Sequence, residues 1–301
     1  MKNGSIITIT VVILFGISCQ TKKNYKAVDY SNRTTPSQLT SKEPESPVLS
    51  VVISTIYSAG ESYSRYNDMM HLIGERCSMP VKVTYCKQYK EVYRLFKDGN
   101  ADIGIVCPSV YVIGKRHGII KLLVGPVIEG KKHFEACIIV PQLSPVHKFN
   151  ELEGRTFSFT DNLSLAGYFY PVYRSGIGSR FWKQVTFSGS HDDAIDLVNR
   201  GIMDGASVSS HVLEYIAKQH PEKTKNVRIL EKSEEFGLSP VVIGTGISAR
   251  EETILRNAFT GLAEYSAGQD ILSSIDVDRF IPVDDSLYAS AYRMVPDSVI
   301  P

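Results

Sequence analysis

From Val48 to the carboxyl end, short apolar runs rich in β-branched residues alternate with helical stretches, and nothing else in the chain limits its fold so tightly. The runs are Leu49 to Ser54, Val81 to Tyr85, Asp102 to Val106, Ala136 to Val140, Thr156 to Thr160, Gln184 to Phe187, Gly205 to Val208, Val227 to Leu230 and Val241 to Thr245. Several are continuous rather than alternating, the pattern of strands covered on both faces. The stretches between them, among them Ser62 to Arg76, Lys90 to Lys97, Asp192 to Arg200 and His211 to Lys218, read as the covering helices. The expected fold class is therefore α/β, in layers. No internal sequence repeat is present.

Two breaks suggest that the chain crosses between two α/β lobes. One is Pro141 to Pro145 and the other is Gly237-Leu238-Ser239-Pro240. Residues 48–140 plus 241–301 would then form one lobe and 141–240 the other, joined by a two-crossing hinge. Clefts between such lobes collect strand carboxyl ends and helix amino ends, which suits them to ligands.

Residues 1–18 carry one charged side chain, Lys2, before the apolar run Ile6 to Ile17, which is shorter than the ~20 residues that span a bilayer. This is the pattern of a secretory signal. Its end, Leu14-Phe15-Gly16-Ile17-Ser18-Cys19, resembles a bacterial lipobox and implies cleavage before Cys19 and a lipid on that cysteine, although Gly16 stands where leucine is more usual; an ordinary signal cut near Ser18, or an uncleaved anchor, is the other reading. Residues 19–47 are polar, with three prolines and few apolar side chains, and read as a flexible tether between lipid and domain.

With 33 basic and 32 acidic residues, the formal charge is +1. Such balance gives no general attraction to nucleic acid or to an acidic membrane surface, so a charged ligand must be met by local groups. The five cysteines are too unevenly spaced for a disulfide framework. G-x-S-x-G, Walker, CxxC and HExxH motifs are all missing, and the seven histidines have no metal spacing, so neither cofactor nor metal is expected.

Four stretches could carry chemistry. Phe157 to Tyr168 runs from a strand through a polar turn into a helix with small residues in its first turn, and reads either as an anion site of free backbone N–H groups or as an ordinary capped helix. Phe187 to Asp193 repeats the design: Ser190 can cap, and His191 either donates to an oxyanion or simply begins a surface helix. Asp204 stands at the entry of the strand from Gly205, where it could orient a protonated oxygen or His191, or merely end a turn. In the first lobe, Gly99 to Tyr111 reads as strand, turn and helix, with Cys107 as either a reactive, soft-ligand thiol or a small buried hydrophobe.

Together these stretches resemble the phosphate/phosphite/phosphonate-binding family of periplasmic substrate-binding proteins of ABC transporters. The resemblance covers Val48 to about Phe259. Its elements are Tyr89 to Val92, Gly99 to Asp102, Cys107-Pro108-Ser109-Val110-Tyr111, Leu152 to Phe157 leading to Asp161, Ser164, Gly167 and Tyr168, then Ser190-His191-Asp192, Gly201 to Ala206, Val212-Leu213-Glu214 and Ser239-Pro240-Val241-Val242. It implies a type II periplasmic-binding-protein fold, a clamp of two α/β lobes that closes on its ligand.

Carried over residue by residue, the family's pocket would take Tyr57 or a neighbour and Tyr111 from the first lobe, with Ser109 and Cys107 as further candidates beside them, Cys107 being a departure because many relatives place glycine or serine near that position. The second lobe would supply Ser164, Leu165, Ala166 and Gly167 at one helix end, His191 at another, and Asp204 beside them. Where the family's phosphonate binders usually read Ser-Thr-Ser-Gly, this chain reads Ser164-Leu165-Ala166-Gly167, which removes two hydroxyls worth ~1 kcal/mol each to a bound anion. The implied partners are a small oxyanion or phosphonate, an ABC permease, and the membrane through the Cys19 lipid. Similar proteins sense arsenite and report to a membrane histidine kinase, a role that a Cys107 thiol would suit. A third reading is an enzyme built on Cys107, His191 and Asp204.

Overall fold

The computed structural model describes residues 48–54 and 59–301, with backbone alone for 59–65. The expected signal, the tether, the Cys19 lipid site and Tyr57 lie outside the described residues. No helix among the described residues is long and apolar enough to cross a membrane.

The runs of apolar residues form two sheets. In the first lobe, β1 (Leu49–Ser54), β2 (Val81–Cys86) and β3 (Ile103–Ile105) run parallel, and β10 (Val241–Gly244) joins β3 antiparallel. β4 (Ile120–Val127) and β11 (Arg279–Ile281) complete the order β11-β4-β10-β3-β1-β2. Helices α1 (Ala59–Cys77), α2 (Tyr89–Lys97), α3 (Pro108–Arg116), α7 (Ala249–Thr260) and α8 (Ser266–Ser274) belong to this lobe. Val51, Ile53, Ile103, Ile105 and Ile243 are buried against Met69, Ile73, Leu255 and Phe259 of α1 and α7, which is why these strands lack polar alternation.

The second sheet has the order β7-β6-β8-β5-β9, from β5 (His133–Pro141), β6 (Thr156–Phe159), β7 (Gln184–Phe187), β8 (Gly205–Ser209) and β9 (Val227–Gly237). β6, β7 and β8 are parallel, while β5 is antiparallel to both β8 and β9. Helices α4 (Tyr170–Ser175), α5 (His191–Asn199) and α6 (Ser210–Gln219) belong to this lobe. Part of its core is aromatic: Trp182 stacks on Phe157 at 4.6 Å between ring centroids and meets Phe159 edge-on at 5.1 Å.

The first crossing differs from the expected one. Ala136 to Val140 pairs with β8 and β9, so this strand belongs to the second lobe and the boundary at 140/141 is corrected to residues 128–132, between β4 and β5. There Glu129 and Gly130 both take positive φ, and Ile128 bridges Lys131, so Lys131 and Lys132 are part of the crossing. The return passes through residues 238–240, between β9 and β10. The carboxyl-terminal segment, assigned above wholly to the first lobe, also touches both. α9 (Ala289–Met294) packs on α3, and Ser290 Oγ donates to Glu235 O on β9 at 3.0 Å.

Candidate functional site

Between the lobes lies a cavity of about 50 Å³ where the carboxyl ends of β3, β6 and β8 meet the amino ends of α2, α3, α5 and α6. Tyr66, Tyr89 and Cys107 face it from the first lobe. Ser164, Ala166, His191, Ser209 and His211 face it from the second, and Ser239 from the return crossing. The rest of the wall is apolar, with Ile128, Phe134, Val277 and Phe280 among its members.

The Ser164 turn is built by its small residues. Leu165–Phe169 is a turn of π-helix feeding α4, and Ser164 O accepts N–H from both Tyr168 and Phe169 at 3.0 Å. Ser164 Oγ caps the turn by accepting Gly167 N–H at 3.0 Å. A Cβ on Gly167 would lie 1.9 Å from Thr160 Oγ1, so only glycine lets the turn fold back onto the end of β6. Ser207 Oγ on β8 donates to Ala166 O at 2.5 Å and ties the turn to the neighbouring strand.

This turn is also wired to the first lobe. Asp161 accepts Leu163 N–H at 2.8 Å with one carboxylate oxygen and Tyr89 N–H, the first of α2, at 3.1 Å with the other. Ser109 Oγ donates to Leu163 O and lies 3.1 Å from Cys107 Sγ. Leu165 N–H donates to Cys107 Sγ at 3.5 Å. Ser109 Oγ and the Leu165 amide thus both point a donor at the sulfur, which favours the thiolate, but burial outweighs them and pushes the Cys107 pKa up.

His191 opens α5 behind the Ser190 cap, whose Oγ accepts Asp193 N–H at 3.2 Å. Its Nδ1 accepts Ser209 N–H at 3.1 Å, so the ring proton sits on Nε2. Burial pulls the His191 pKa down to about 4, against a weaker opposing effect of Asp192. The ring is thus an uncharged donor at neutral pH. Tyr89 is buried as well, and burial, then the neighbouring Cys107 and Asp161, push its pKa well up.

A profile of the family described as "ABC transporter, phosphonate, periplasmic substrate-binding protein" matches residues 51–288. The chain belongs to this family. Over 176 residues it is 24% identical to a probable ABC transporter phosphite-binding protein of Prochlorococcus marinus (strain MIT 9301), a match that covers 52% of this chain and 58% of that relative, somewhat over half its length. Among solved structures, a binding protein component of an ABC phosphonate transporter from Pseudomonas aeruginosa superposes with a TM-score of 0.75 at 18% identity, covering 81% of this chain and 84% of the other. The Prochlorococcus marinus protein in complex with methylphosphonate gives 0.74 at 20% identity, covering 82% and 96%. The fold is that of the type II periplasmic binding proteins.

For a phosphonate-family binding protein, the residues expected from sequence fall into three groups. Cys107, Ser164, Ala166 and His191 line the cavity, and Ser109, Leu165 and Gly167 hold those residues in place. Tyr111 does not line it. Its ring packs edge-on against Tyr288 at 4.9 Å, and its hydroxyl donates to Asp285. Asp204 is likewise corrected: it accepts Thr156 N–H at 2.9 Å and Thr156 Oγ1–H at 2.8 Å at the amino ends of β6 and β8, whereas the cavity opens at their carboxyl ends. No Cys107, His191 and Asp204 constellation assembles. Sequence reasoning gave no role to Tyr89, Ser209 or Asp161. The signal for Asp161 was present in Asp161-x-Leu163, the spacing of an Asx turn at a strand end.

Proposed function

We propose that this chain is the exported, substrate-capturing component of an ABC importer, tethered by a lipid on Cys19, and that it holds a small phosphorus oxyanion, whether phosphate, phosphite or a phosphonate, between its lobes for delivery to a permease. The observation that carries this reading is the cavity itself, where the Ser164 turn and the His191 helix start converge opposite Cys107 and Tyr89. Closure excludes water, and ordered amides, hydroxyls and the His191 Nε2–H replace the hydration shell of the ligand. The Prochlorococcus marinus structure, with methylphosphonate bound, supports a ligand of this size class. Cys107, whose sulfur already serves the Leu165 amide and the Ser109 hydroxyl, fits a closing contact better than a free arsenite ligand.

The test is thermal unfolding of the purified chain with phosphate, phosphite, methylphosphonate, sulfate and arsenite in turn. A bound ligand stabilises the folded state by RT ln(1 + [L]/Kd), so a phosphorus ligand should raise Tm at millimolar concentration. No shift with any phosphorus ligand would remove the reading. Stabilisation by arsenite alone, lost in Cys107→Ser, would install the sensory alternative in its place.

A further inference from the structure

Among the described residues, the cavity wall carries no Lys, Arg, Asp or Glu side chain. Its ionisable members are Tyr66 from α1, Tyr89 from α2, Cys107 before α3, His191 from α5 and His211 from α6. The tautomer of His191, fixed by the Ser209 amide, gives one donor and no charge. Next to the wall stands a carboxylate, Asp161, anchored by the amides of Tyr89 and Leu163. Its charge reaches the cavity, since it helps to push up both Tyr89 and Cys107. Lys90 and Glu91 lie within its field as well and act on it in opposite directions. Beyond Phe134 and His211 the cleft widens into a space of about 360 Å³, in which Lys131, Lys218 and Lys232 face Glu129, Glu135, Glu214, Glu235, Asp276 and Asp278. Carboxylates outnumber lysines there, so the outer cleft supplies no surplus positive charge.

Neutral donors can replace the hydration of one negative charge. A second charge on the same small ligand would enter a water-poor site with no described counter-charge and with Asp161 beside it, and this is disfavoured by both desolvation and repulsion. Resting on the oxyanion reading above, we infer that the site takes its ligand as a monoanion, a tetrahedral oxyacid with one ionised oxygen, and refuses the dianion. The second acid dissociation of phosphorus oxyacids lies near neutrality, so the distinction operates at physiological pH. His191, held near 4, and Tyr89 and Cys107, both raised, do not titrate in that range, and the singly charged control ligand below separates any contribution of His211, which also faces the cavity, from that of the ligand.

The experiment is isothermal titration of the full chain with methylphosphonate, and with methanesulfonate as a ligand of similar shape that stays singly charged, from about pH 6 to about pH 9. Methylphosphonate should weaken about tenfold for each pH step of one above its second pKa, and binding near the upper end should take up about one proton per ligand, read from the dependence of the heat on buffer. Methanesulfonate should compete, with an affinity that changes less than about twofold across the range. A methylphosphonate affinity that is constant or rises with pH overturns the inference, as does binding without proton uptake, a parallel loss for methanesulfonate, or its failure to compete. Each of those results leaves the oxyanion reading standing. Only the absence of binding by methylphosphonate, phosphite and phosphate at every pH removes that reading, and the inference falls with it.

Discussion

The two capped helix starts that meet at the cavity are alike in design and opposite in use. Each has a serine cap accepting an amide three residues on, Ser164 from Gly167 and Ser190 from Asp193. The Ser164 turn spends its polar groups on the other lobe: Asp161 on Tyr89, Leu163 on Ser109, Leu165 on Cys107. The Ser190 start makes its main contact within its own lobe, through His191 and Ser209, and leaves Nε2 of the ring for the cavity. On the function proposed above, one start closes the clamp and the other meets the ligand. A capped helix end near a cleft is therefore not by itself an anion site; its use depends on which amides the protein has already taken.

The sharpest way to break the closing start is Gly167→Val. The new Cβ meets Thr160 Oγ1 at 1.9 Å and Thr160 Cβ at 2.8 Å, and the turn between β6 and α4 must move. A destabilisation of about 2–4 kcal/mol is expected, with loss of any ligand-induced Tm shift. Unchanged Tm and binding would show that the turn is not what aligns the lobes.

The recognising start is tested by pH. The folded pKa of His191 is depressed to about 4 from its ordinary 6.5, so the unfolded chain binds the proton more readily and stability falls as pH drops through that window. The full penalty, present below pH 4, is about 3 kcal/mol. Asp161, raised by burial, acts in the opposite direction, so the measurement is a difference between wild type and His191→Asn, which keeps an acceptor for Ser209 N–H. Denaturant unfolding at about pH 7 and about pH 4 should show a smaller acid loss in the variant. At pH 7 the variant should bind its ligand about tenfold more weakly, a change of about 1.4 kcal/mol. Equal acid losses would mean that the ring is solvated.

A smaller effect is expected of Ser109→Ala on the closing side. It removes the hydroxyl that donates to Leu163 O and toward the Cys107 sulfur, a loss of about 1–2 kcal/mol. Because the bond to Leu163 O joins the two lobes, ligand affinity should fall by more than unliganded stability does. The opposite division, lost stability with kept affinity, would make Ser109 an ordinary structural serine.

How far all this could be read beforehand follows from what each residue faces. The runs at Val51, Ile103 and Ile243 were legible because strands buried on both faces leave no polar alternation. β4 was not, since Gly125 and Pro126 imitate a turn; the glycine is there because Val283 lies 2.9 Å from where its Cβ would be. The first crossing was misplaced because Ala136 to Val140 is as apolar as any strand of the first lobe, and sequence does not say which sheet a strand joins. Cys107, Ser164 and His191 could be found from strand-to-helix turns. The partners that make those turns work, Tyr89 with Asp161 and Ser209 with His191, are 72 and 18 residues apart and become visible only in the fold.

Asp204 gives the smallest effect on binding and the clearest control. Its place at the entry of β8 was itself the clue: parallel strands present ligands at their carboxyl ends, so an acid at an amino end faces away from the cleft. There it accepts both the amide and the hydroxyl of Thr156, and Arg155 stands 3.9 Å away across a half-exposed surface. Asp204→Ala should therefore lower stability by about 1–2 kcal/mol, mostly from the two unpaired Thr156 donors, since an exposed ion pair adds little. Ligand affinity should stay within about twofold of wild type, because the Ser164 turn and His191 lie at the other end of the same sheet. Affinity that fell tenfold at unchanged stability would put Asp204 back beside the ligand and overturn the division of the sheet into a structural end and a binding end.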